Sequence, residues 1–226
     1  MQILTEKVSA LKNVRLFYTK GGTMRFISHL DMTRFLARAI RRAEIPVWYT
    51  EGFNPHLYMT FALPLSLGFE SEYEVVDIRL INDEYPMQIL CDKLNAVCTP
   101  DIHFFKAAEP LLKTGDVAGA DFVVDFCDGG ALAEKLDMFL KSDNITVLKK
   151  TKKGEIKQIE VAGKIKSFTL DKSGKNTRLK MRLPAGSVDN LNPELILECF
   201  FETNADRCDF VINRTAILDA DQNLFV

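Results

Sequence analysis

The sequence predicts an α+β fold of two consecutive βαββαβ units, each an antiparallel sheet with helices on one face. Three observations carry that expectation. The chain has 226 residues, enough for two small cores. Hydrophobic residues make up 47% and charged residues 27%, a globular balance. The same order of strand-like and helix-like segments runs twice along the chain, the pattern of tandem ferredoxin-like layers.

In the first half, residues 14–19 read as a strand, Gly21-Gly22 as a turn, and residues 24–27 as the strand's continuation or its hairpin partner. Ser28 and Asp31 form an S-x-x-D helix-start signal. After them Met32, Phe35, Leu36, Ala39, Ile40 and Ala43 fall on one side of a helical wheel. Pro46 closes that helix. Residues 47–50 and 58–61 are strand-like around the loop 51–56, and residues 73–81 form a further strand. Met87, Leu90, Cys91, Leu94 and Val97 repeat at helical spacing, and residues 102–105 complete the first unit.

The second half restarts with a strand at 122–126, a helix over 131–141 and a strand at 145–149. A hairpin across 152–155 follows, then an alternating strand at 178–183. Asn192-Pro193 opens a helix, and residues 210–212 with 216–218 supply the last strand. This is the first half's order with an extra strand inserted. The domain bounds expected are 1–110 and 121–226, joined by a linker of small and polar residues over 111–120; a single domain with one continuous sheet is the alternative.

No apolar run approaches the roughly 18–20 residues that span a bilayer, and the N-terminus lacks a signal-peptide core. The expectation is a cytoplasmic protein with no membrane partner. Cys91, Cys98, Cys127, Cys199 and Cys208 form no C-x-x-C pair, so they are expected to be reduced core residues. No metal is assigned, and no cofactor. No phosphate-cradling glycine motif is present, which argues against an NTPase or a dinucleotide enzyme.

Net charge is only −2, but it is unevenly spread. Residues 12–56 hold eight Lys or Arg against three acids, and residues 149–182 hold twelve against three. Such separation lets a basic face meet a polyanion while the chain stays acidic on average. For the lysines of 149–157, the ordinary reading is a solvated hairpin edge.

The stretch from Arg25 to Asp77 concentrates the candidate chemistry. Arg34, Arg38, Arg41 and Arg42 occupy an arc of about 100° on the first helix, opposite its apolar side. Only Asp31 and Glu44 flank them, so this stripe, with Arg25, is a candidate RNA-binding face; an ordinary solvated face is the alternative. The loop that follows adds Tyr49, Phe53, Asn54 and Tyr58 as candidate RNA contacts, because rings beside a basic helix can stack exposed bases. Taken singly, Trp48, Phe53 and Phe61 are expected in the core, with Tyr49 and Tyr58 outside. His29 and His56 are candidate catalytic residues, a general base and general acid acting on a 2′-hydroxyl without metal. The alternative for His29 is a helix-start hydrogen bond, and His103 is expected to be structural. Glu72 and Asp77 are expected as ion-pair partners of the arginine stripe.

Arg25-Phe26-Ile27-Ser28-His29-Leu30-Asp31, Arg34, Arg38-Ala39, Arg41-Arg42-Ala43, Pro46, Tyr49, Gly52-Phe53-Asn54-Pro55-His56, Phe61-Ala62, Pro64-Leu65, Gly68, Ser71, Glu74 and Asp77 together resemble the bacterial radical-SAM-linked protein family. The resemblance is specific over residues 14–80. Relatives usually place proline and a basic residue after the loop histidine, where this chain has Leu57 and Tyr58. Because the chain lacks a C-x-x-x-C-x-x-C cluster, the resemblance implies a separate radical SAM protein as partner. In relatives the setting points to tRNA or rRNA modification. The tandem layout also resembles that of CRISPR RNA-processing endoribonucleases, an analogy of fold alone. The expected function is an RNA-binding accessory protein. A metal-independent endoribonuclease and a protein-interaction adaptor without RNA are the alternatives.

Overall fold

The computed structural model describes residues 11–128, 130–150, 156–171, 176–203 and 207–226, an α+β chain whose strands pair in both senses. The described residues fall into two compact units: those within 1–67, 73–114 and 226 form one, and those within 68–72 and 115–225 the other.

In the first unit, β1 (Lys12–Lys20) is followed by α1 (His29–Arg42), β2 (Met59–Phe61), β3 (Glu70–Leu80), α2 (Leu90–Asn95) and β4 (Ile102–Ala108), with residues 70–72 of β3 assigned to the second unit. The strands lie in the order β4-β1-β3-β2, and the β1·β4 and β2·β3 pairs are antiparallel. Val14, Leu16 and Tyr18 of β1, Val76, Ile78 and Leu80 of β3, and Ile102 and Phe104 of β4 point to one face. There they meet Met32, Leu36, Ala39 and Ile40 of α1 and Leu90 and Leu94 of α2. The 3.6-residue period of α1 and the two-residue period of the strands thus bury the same core from two sides.

The opposite face of this sheet is also covered. Arg15 is 0% exposed there and donates from Nε and a terminal nitrogen to the two Asp77 oxygens, at 2.7 and 2.8 Å. Its remaining donors reach the carbonyls of Leu112 at 2.8 Å and Val226 at 2.9 Å. Phe17, Tyr73 and Phe105 pack as tilted rings on the same face. Burial pushes the Tyr73 phenol up to about 12, against the pull of the nearby Arg15 charge.

The expected strand at 24–27 is instead a 3-10 turn over Gly22–Phe26. Gly22 takes φ +51, and a Cβ there would stand 2.5 Å from the Asp101 carboxylate. That carboxylate accepts from the Thr23 amide at 2.9 Å and the Thr23 hydroxyl at 2.5 Å. The Thr23 bonds hold the Asp101 carboxyl below its ordinary range. Hydrogen bonding to a distant aspartate therefore coils a segment whose residue pattern reads as extended.

The second unit contains β5 (Gly119–Phe126), α3 (Ala133–Leu140), β6 (Thr146–Lys150), β7 (Ile156–Glu160), β8 (Ser167–Asp171), β9 (Arg178–Pro184), α4 (Pro193–Thr203) and β10 (Phe210–Leu218). Four strands run in the order β10-β5-β9-β8 with antiparallel pairs, and β10 also pairs in parallel with Glu70 and Ser71. β6 and β7 form a separate two-stranded sheet whose tip, expected at 152–155, lies outside the described residues. β7 is the second arm of the expected hairpin, and β8 is an addition to the sequence-based element order. Phe126 of β5 meets Phe201 of α4 at 6.3 Å, and Phe139 of α3 meets Phe200 at 5.4 Å, so both helices share the core. The outer face carries Arg182 paired with Asp121 and Arg178 paired with Asp125.

Asp128 ties this unit's irregular segments together. It accepts from the amides of Gly130, Leu132 and Thr177 and from the Thr177 hydroxyl, at 2.7–3.1 Å. Partial burial would raise its carboxyl, but the Thr177 hydroxyl and the three amides outweigh it and the group lies below its ordinary range. Among the described residues, no helix is long and apolar enough to cross a membrane. The five cysteines are free thiols, but none is a fully buried core residue: Cys127 is exposed and the other four are half-buried.

Candidate nucleic-acid interface

Helix α1 organises the candidate site. Ser28 caps it, accepting from the Asp31 amide at 3.2 Å and donating to the Asp31 carboxylate at 2.7 Å, as the S-x-x-D signal predicts. With Met32, Leu36, Ala39 and Ile40 buried, Arg34, Arg38, Arg41 and Arg42 are left exposed on the far side. Arg34 donates to Asp31 at 3.1 Å, and Arg42 donates to the Val97 carbonyl at 2.9 Å. The Ser28 and Arg34 bonds lower the Asp31 carboxyl below its ordinary range. Arg38 and Arg41 have no hydrogen-bond or ion-pair partner among the described residues.

A groove of about 450 Å³ runs along this face, lined by Arg34, Phe35, Arg38 and Arg42 on one side and Val97, Cys98 and Thr99 on the other. Asp31 also lines it. Burial pushes the Cys98 thiol up, partly offset by the Arg42 charge. Three guanidinium groups and one carboxylate share the groove, and two of those four are paired with each other.

The aromatic loop lies elsewhere. His29, on the flank of α1 turned away from the groove, sets its ring edge-on to Phe61 of β2 at 4.7 Å. The His56 ring Nδ1 lies 2.9 Å from Thr50 Oγ1 and 3.2 Å from the Asn54 carbonyl oxygen, contacts within its own loop. The two histidines are thus engaged with different partners. Tyr58 tilts on Trp48 at 5.9 Å, and the Arg79 guanidinium covers both rings, at 4.3 and 5.1 Å. Tyr49 is exposed, and Arg25 lies over the ring of exposed Phe26 at 4.7 Å. None of Tyr49, Phe53, Asn54 or Tyr58 lines the arginine groove.

Several sequence-based placements change. Phe53, expected in the core, is fully exposed, because the turn around Gly52 carries it away from the sheet. Tyr58, expected outside, is half-buried under Arg79. His103 is exposed on β4. Asp77 does not serve the arginine stripe, because Arg15 holds both of its oxygens, and Glu72 accepts from Asn213 at 2.8 Å. Arg15 and Arg79 escaped the sequence reading. The available signal was a lone arginine inside the apolar run of β1, which a folded chain keeps only with partners. Among the described residues, no group of three or more His, Cys, Asp or Glu side chains could hold a metal ion.

Fold and surface together define a two-unit α+β protein with an arginine-lined helix face. The chain belongs to the family described as an uncharacterized protein conserved in bacteria, DUF2344, whose model matches residues 13–193. This is the radical-SAM-linked family that residues 14–80 resemble. No curated protein matches the chain. A chain in the solved structure titled "Crystal Structure of a Cbf5-Nop10-Gar1 Complex" is similar at 9% identity and a TM-score of 0.47. The match covers 89% of this chain and 48% of that one, so this chain spans about half its length.

Proposed function

We propose that this protein is a cytoplasmic RNA-binding accessory protein that presents tRNA or rRNA to a separate radical SAM modifying enzyme. The carrying observation is the exposed guanidinium face of α1, where Arg38 and Arg41 have no partner among the described residues. Like charges on one helix face repel, and a polyanion relieves that repulsion. Guanidinium groups engage phosphate bidentately, a geometry that lysine does not offer. Arg34 and Arg42 extend the same basic surface, and the proposal adds Arg25, which lies over Phe26 just ahead of the helix.

The tandem ferredoxin-like reading of the fold belongs to this proposal. It is supported by the order β4-β1-β3-β2 in one unit and β10-β5-β9-β8 in the other, with β6 and β7 as the insertion. The family's link to radical SAM enzymes supplies the partner. Metal-independent cleavage has less support, because His29 rests on Phe61 while His56 is bonded within its loop.

Filter binding of bulk tRNA and rRNA over a salt series tests the proposal. Affinity is expected to fall steeply with salt, and Arg38→Ala/Arg41→Ala is expected to weaken it and reduce the salt slope by about 1–2. Binding that ignores salt, or that the double substitution leaves intact, sinks the reading. An absorbance ratio at 260 and 280 nm typical of bare protein, together with no binding to either RNA, promotes the adaptor alternative.

A further inference from the structure

The loop 50–56 closes on itself. The Thr50 amide donates to the His56 carbonyl at 2.8 Å, and the His56 amide donates to Thr50 Oγ1 at 3.1 Å. The imidazole completes the clasp, with Nδ1 3.2 Å from the Asn54 carbonyl oxygen, an acceptor that calls for the proton on Nδ1. Gly52 at φ +114 supplies the turn. Phe53 stands next in the chain, 106% exposed and without a ring contact among the described residues. Phe26 differs, since Arg25 covers one of its faces.

A phenylalanine left in water forgoes the burial that ordinarily accounts for the residue, and this loop is held by hydrogen bonds that need no help from the ring. An ordered loop also presents the ring in a fixed place, so little freedom is lost on contact. The loop carries Glu51 and neither Lys nor Arg, so it cannot neutralise phosphate. What it offers a nucleic acid is a flat apolar face, which suits a base and not the backbone. Bases inside a duplex are already stacked, whereas those of loops, bulges and single strands are accessible.

We infer that Phe53 is a base-stacking residue that selects unpaired nucleobases of single-stranded RNA, with His56 as the positioning residue that holds its loop. The inference rests on the RNA-binding reading above and adds the class of RNA taken. It also assigns His56 a role other than acid–base chemistry.

Two probes of equal charge test it, an oligoadenylate and a blunt-ended RNA duplex. Phe53→Ala is expected to weaken oligoadenylate about tenfold, leave the duplex unchanged, and keep the salt slope, since no phosphate contact is lost. Phe53→Trp retains oligoadenylate binding, while Phe53→Leu, apolar but ringless, behaves as Phe53→Ala. His56→Ala lowers the preference for oligoadenylate over duplex by a smaller factor, and His56→Asn, which keeps a donor for the Asn54 carbonyl, restores it. Wild-type protein that binds neither probe overturns the RNA reading and this inference together. Wild-type binding that Phe53→Ala does not alter overturns the stacking role alone, and retention by Phe53→Leu points to an apolar protein contact instead. Equal losses on both probes assign the ring to structure.

Discussion

The outer sheet faces of the two units carry the same chemical pair under opposite conditions. In the first unit Arg15 on β1 grips Asp77 on β3; in the second Asp121 on β5 meets Arg182 on β9. Both pairs are bidentate, with contacts of 2.7 and 2.8 Å. Their surroundings differ: the Arg15 side chain is 0% exposed, whereas those of Arg182 and Asp121 are 33% and 29% exposed. Geometry alone therefore says little about strength. Burial decides whether an ion pair is a strut of the fold or a solvated ornament of its surface.

Substitution of Arg15 should break this contrast most strongly. Arg15→Met leaves Asp77 without its guanidinium and two main-chain carbonyls without a donor, and about 3–5 kcal/mol of stability should be lost in urea unfolding. A loss below about 1 kcal/mol would mean that water reaches the pair. Replacing both partners, Arg15→Met with Asp77→Leu, should recover much of that loss, because no unpaired charge then remains inside. Recovery is measured by the same unfolding midpoints, and its absence would assign the cost to the Leu112 and Val226 carbonyls.

In the second unit, Asp128→Ala strips the fully buried Thr177 of both its acceptors and should cost roughly 1–3 kcal/mol. The lowered carboxyl gives a second readout. Its stabilisation is full above the ordinary carboxylate value of 3.8 and is lost as pH falls through the folded value, so Asp128→Ala should flatten the acid limb of the stability curve. An unchanged acid limb would show that other carboxylates set it. Arg182→Ala should do least, at most about 1 kcal/mol, and less at high salt.

Alkaline titration sharpens the comparison from another side. The folded unit holds the Tyr73 proton more tightly than the unfolded chain, whose phenol titrates near its ordinary 10.0. The stabilisation is therefore full below about pH 10 and declines as pH rises toward 12. Phenolate absorbance that rises fully by pH 10.5 without unfolding would contradict a buried Tyr73.

Periodicity made α1 legible down to its cap, since Ser28 and Asp31 act through local hydrogen bonds that sequence spacing captures. The same was true of the arginine arc, because a helix fixes which side chains share a face. The 3-10 turn at Gly22–Phe26 was not legible, because Asp101 that secures it is remote in sequence. Nor was Phe53. Composition marks a phenylalanine for the core, and only the closed loop around Gly52 and His56 puts it in water. Asp77 was misread for a related reason: its partner Arg15 lies 62 residues away on β1 rather than on the nearby helix.

That closed loop also sets what evolution is free to alter. Since Thr50 and His56 seal the segment without drawing on residue 53, the apex can be exchanged for another side chain at little cost to folding. A substitution at residue 53 therefore leaves the clasp, and the sheet and helices behind it, as they are.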